Sequence, residues 1–137
     1  MMRAGPGWDR ARTYARGAVA VGLLAGGVTA LGILAWGRGT GPLPWAALGW
    51  APMVAVGIGS GTWMAASYGR PSAGFLAGMV AGILGRLLLA AVGAAAVVMA
   101  GGSQLWPFLA GWAGGFVPLQ AYEIVFFHRA ARAGRGA

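Results

Sequence analysis

The residues able to do chemistry are few in this 137-residue chain: two acids, Asp9 and Glu123, one histidine, His128, and ten arginines, with no cysteine and no lysine. Paired-carboxylate catalysis needs two acids within reach of one bond, and Asp9 and Glu123 stand near opposite ends of the chain. Without cysteine there are no disulfides, thiolate nucleophiles, iron–sulfur clusters or thiolate zinc sites. One histidine cannot build a histidine metal site, and His128 falls just past the last apolar run. The expectation is a chain with no catalytic residues, no metal and no cofactor. What stands out instead is Arg86, a permanent charge in the middle of a long apolar stretch.

That stretch is one of four. Hydrophobic residues make up 58% of the sequence and charged ones 9%, too little polar surface for a soluble domain of this size. The apolar runs are 17–36, 45–68, 73–100 and 106–127. A run of about 20 residues crosses one hydrocarbon core of about 30 Å. Breakers separate them: Gly37 through Pro44, then Gly69-Arg70-Pro71-Ser72, then Gly101-Gly102-Ser103. These loops are too short for further domains. The reading is an all-α membrane protein, four transmembrane helices in two hairpins, with a basic segment 1–16 before the bundle and a basic tail 128–137 after it. Val28-Thr29-Ala30 resembles a signal-cleavage region, but apolar sequence continues to Trp36, so a retained span is expected.

The arginines set the orientation. With both termini cytoplasmic, that side holds Arg3, Arg10, Arg12, Arg16, Arg70, Arg129, Arg132 and Arg135, against Arg38 alone on the other. Trp36, Trp45 and Trp106 then fall at the outer rim, where indole rings settle. A net charge of +8 in this pattern indicates topology and lipid headgroups rather than nucleic acid. In the basic start, Trp8, Ala11, Ala15 and Val19 share one helical face and Arg12 and Arg16 another, which suits a short helix lying on the inner membrane surface.

Arg86 lies about 20 Å from the cytoplasmic edge of its helix. A charge at that depth costs roughly 3 kcal/mol or more and needs partners. Two kinds are open. Inside the chain, Pro118 frees the Gly114 carbonyl at about the depth of Arg86, and Gln120 and Glu123 share a face nearer the cytoplasm. A direct pair with Glu123 must span roughly 12 Å of depth. Outside the chain, a carboxylate on another protein's helix is the alternative. Gly74, Gly78, Gly82, Arg86, Ala90 and Ala94 recur every four residues, a stripe of small side chains that lets a helix of the bundle, of another protein or of a second copy approach closely. Ala18, Gly22, Gly26 and Ala30 form a similar stripe on the first helix, and Gly57, Gly59, Ser60 and Gly61 a patch on the second. Pro52 and Pro118 are expected to kink the second and fourth helices. Leu48-Gly49-Trp50-Ala51 is faintly echoed by Ala110-Gly111-Trp112-Ala113.

The basic start, Gly85-Arg86-Leu87-Leu88-Leu89 in the third segment, and Phe108-Leu109-Ala110-Gly111 leading to Phe116-Val117-Pro118-Leu119-Gln120 in the fourth resemble the ATP synthase protein I family. Those are small four-helix membrane proteins of the bacterial inner membrane, implicated in assembling the rotor ring of c subunits. The resemblance implies a non-enzymatic assembly factor with c subunits as partners, Arg86 shielding the rotor carboxylate beside the Gly74, Gly78 and Gly82 stripe. Some members carry an acid just before the basic residue, where this chain has Gly82 to Gly85. The alternative is a small four-helix channel or transporter. Helix one offers no acid for proton coupling, however, and the apolar runs lack the polar residues of an anion path.

Overall fold

The computed structural model describes residues 6–36, 39–69 and 73–135; Arg3, Arg38 and Arg70 of the charge count lie outside the described residues. Four helices follow one another: α1 (Pro6–Ala35), α2 (Leu43–Ser67), α3 (Gly74–Met99) and α4 (Leu105–Arg135). The described residues contain no strand. The first three helices are long and apolar enough to cross a membrane. The fourth is the longest at 31 residues. Its mean hydropathy is lowered by Gln120, Glu123, His128, Arg129, Arg132 and Arg135.

The breakers act as their chemistry demands. Pro42 is the N-cap of α2 and Pro44 lies in its first turn, where a missing N–H is no loss. At the end of α3, the Gly102 N–H donates to the Val97 carbonyl at 3.0 Å and the Gly101 N–H to that of Val98 at 3.1 Å. This closing loop turns through φ values of 114° at Gly101 and 74° at Gly102 that other residues rarely adopt. Pro52 and Pro118 lie inside α2 and α4, and both helices continue through them.

One expectation is corrected. Residues 6–16 do not form a separate helix on the membrane surface; they are the opening turns of α1, since nothing between Tyr14 and Val21 breaks the helix. Their buried face is Ala11, Tyr14 and Ala18, at the 3–4 residue spacing of a helix packed into a bundle. Trp8, one turn before Ala11, is 58% exposed.

Helices α2 and α4 run parallel and form the centre, with α1 against both and α3 mainly against α2. Their crossing is a backbone contact. Gly49 of α2 lies on the Phe108 carbonyl of α4, and Gly111 of α4 lies on the Ala46 carbonyl of α2. Each glycine rests on the residue three before the other, so the faint sequence echo around Gly49 and Gly111 has a reciprocal counterpart in packing. Small residues let parallel helices close to this distance where burial of apolar surface cannot drive association.

Candidate functional site

All four helices contribute to a buried polar cluster around Arg86, which is 2% exposed. On α4, Gln120 and Glu123 are three residues apart and so face the same way. The Arg86 Nη1 donates to Gln120 Oε1 at 2.7 Å and to Glu123 Oε2 at 3.2 Å. Its Nη2 pairs with Glu123 Oε1 and lies 3.5 Å from Ser60 Oγ of α2. From α1 the Tyr14 hydroxyl donates to Glu123 Oε1 at 3.1 Å. The carboxylate, 5% exposed, thus accepts from two helices while α4 carries it.

Space for this head group comes from α2. Gly57 and Gly61 are one turn apart: a Cβ at Gly57 would reach to 3.5 Å from Arg86 Nη2 and one at Gly61 would collide with the Tyr14 hydroxyl. Gly59, between them, faces away with nothing near it. On α3, Gly78 meets Met64 and a Cβ at Gly82 would lie 2.8 Å from Ser60 Oγ. The stripe on α3 therefore packs on the chain's own α2, Gly74 being half-buried at its start. A foreign helix would have to displace α2 to reach it.

The three candidate internal acceptors for Arg86 separate cleanly. The guanidinium turns to Gln120 and Glu123, not to the Gly114 carbonyl freed by Pro118. The depth gap closes because side chains tilt toward their helix N-terminus. Arg86 on α3 and Glu123 on the antiparallel α4 tilt toward each other. Tyr14, whose hydroxyl completes the carboxylate's bonding, went unnoticed in the sequence, although Ala11-Tyr14-Ala18 spacing marks a core face. One donor, Arg86 Nε, has no partner among the described residues.

Between this cluster and the end of the bundle holding both termini lies an aromatic layer. Tyr14, Tyr68, Phe75, Tyr122, Phe126 and Phe127 form a connected set of rings with centroids 5.2 to 6.0 Å apart. Arg10 closes it, donating to the Tyr68 carbonyl at 3.0 Å with its guanidinium 5.3 Å from that ring. At the opposite end, Trp36, Pro42, Trp106 and Pro107 border a cavity of about 220 Å³. His128 is exposed and outside the cluster.

Compared with protein-family models, curated proteins and solved structures, the chain matches none.

Proposed function

We propose that this chain is a non-enzymatic membrane accessory protein that binds partner transmembrane helices, with α4 as a fourth span and both termini on the cytoplasmic side of a bacterial inner membrane. The observation that carries this reading is the closure of the deep charge: Arg86 is held by Glu123, Gln120 and Ser60 inside the bundle. A transporter needs a charged or polar group on a path to water. Here aromatic rings stand between the pair and the terminal end, and the helix faces left for a neighbour are apolar. The resemblance to the ATP synthase protein I family makes rotor c subunits the partner to test. In that role a rotor carboxylate reaches Arg86 only by displacing Glu123, so the pair acts as a lock on the bundle and the outer helix faces make the contact.

Capture of c subunits by the tagged chain from detergent-solubilised membranes tests the partner. The expected result is their enrichment over unrelated membrane proteins of similar abundance, together with no ion or drug flux above empty vesicles when the chain is reconstituted. Saturable flux abolished by Arg86→Leu would establish the transporter reading instead, and absence of c-subunit enrichment would remove the rotor partner.

Orientation is tested separately. Reporter fusions after Arg70 and Arg132 should report cytoplasm, and fusions after Gly41 and Gly102 the far side. A cytoplasmic signal at Gly102 contradicts the four-span arrangement.

A further inference from the structure

The core face of α1 near its start is Ala11, Tyr14 and Ala18, so at 100° per residue Arg12 and Arg16 point away from the bundle, and both are exposed. On α4, Leu119 and Glu123 face inward, while His128, Arg129 and Arg132 are exposed. The Tyr14 ring meets Phe126 at 5.2 Å and Phe127 at 6.0 Å, which sets the register: Arg12 and Arg129 lie within about a turn of the same level.

That level can be placed. Counting roughly 20 residues of hydrocarbon inward from the rim tryptophans, Trp36 and Trp106, puts the inner boundary near Gly17 and Phe126. The four arginines then lie from that boundary to about 10 Å beyond it, the depth of lipid phosphates. Below them on the same outward faces are exposed apolar residues, Val19 and Leu23 on α1 and Val125 on α4. Trp8, 58% exposed, stands one turn beyond Arg12. The described residues contain one ion pair, Arg86 with Glu123, so none of these four arginines is ion-paired among them. Asp9 is the only acidic side chain of the sequence at this level, and it offsets one of the four charges.

We propose that Arg12, Arg16, Arg129 and Arg132 form a collar that binds the phosphates of anionic phospholipids in the leaflet at the terminal end. The proposal rests on the four-span reading, which puts this end at a membrane surface. Guanidinium forks match phosphate oxygens two at a time and hold their charge at every accessible pH. The arrangement of apolar wall, basic ring and tryptophan repeats the profile of a lipid from acyl chain to headgroup, which a soluble polyanion does not share.

The test is native mass spectrometry of lipid retained by the chain after extraction from vesicles of equal phosphatidylglycerol and phosphatidylcholine. Phosphatidylglycerol should be enriched, with enrichment falling roughly fivefold for each arginine replaced in the series R12Q, R16Q, R129Q, R132Q. It should weaken with added salt and be unaffected by millimolar inorganic phosphate, which separates a lipid site from a free-phosphate site. Melting in a zwitterionic detergent should be unchanged across the series, since these side chains make no hydrogen bond or ion pair among the described residues. Equal retention of both lipids, or enrichment that survives the fourfold variant, overturns the collar while leaving the spans intact. A chain that alkaline washing strips from the vesicles overturns the four-span reading and the collar with it.

Discussion

Replacing Glu123 with leucine is expected to destabilise the bundle by about 3–5 kcal/mol, more than replacing Arg86 with leucine. The asymmetry follows from the chemistry of the survivors. Arg86 cannot shed its proton, and without Glu123 it keeps only Gln120 and Ser60, both neutral. Glu123 without Arg86 retains the Tyr14 hydroxyl and can neutralise itself by taking up a proton. The double variant Arg86→Leu/Glu123→Leu removes both charges together and should recover most of the loss. Thermal unfolding of the three variants in detergent reads this directly. Equal, additive losses would show that the two residues act independently.

The second large effect belongs to a residue with no side chain. A Cβ at Gly111 would fall on the Ala46 carbonyl, closer than two atoms can approach, and the obstruction is backbone that cannot rotate away. Gly111→Ala must therefore push α2 and α4 apart, at a cost of about 3 kcal/mol or more, above the usual range for overpacking because no side chain can yield. Gly49→Ala should match it, since its Cβ would meet the Phe108 carbonyl. Gly27→Ala and Gly32→Ala, at positions with nothing within 4 Å, should leave stability unchanged or slightly raised. Similar melting temperatures for the Gly111 and Gly27 variants would mean that the crossing is not this close.

The helices were largely legible in the sequence because glycine and proline mark their ends in lipid and in water alike. The start of α1 was not. A basic segment looks like a surface element, yet only the face hidden against α4 decides whether it packs, and Tyr14 and Ala18 carry that face. Gln120 and Glu123 were legible as candidates for Arg86 because they share a helical face. Choosing between them and the Gly114 carbonyl required the tilt of two antiparallel side chains, which spacing along one helix does not contain. The α3 stripe is a comparable case. Its spacing announces close packing but carries no information on whose helix fills it; α2 does, through Ser60 and Met64. Gly49 and Gly111 sat in a four-residue echo whose meaning depended on which two helices cross.

Because Glu123 is the only glutamate in the chain, labelling glutamate places one isotopic probe in the whole molecule. The most direct measurement of the internal lock is solid-state NMR of the protein in bilayers, with 13C at the glutamate carboxyl and 15N in the arginine guanidinium groups. Strong dipolar dephasing of the single carboxyl signal, at the coupling of a contact pair and lost in Arg86→Gln, is the predicted result. A carboxyl signal that arginine nitrogens leave undisturbed would contradict the lock and return Arg86 to the open role of a charge awaiting a partner's carboxylate.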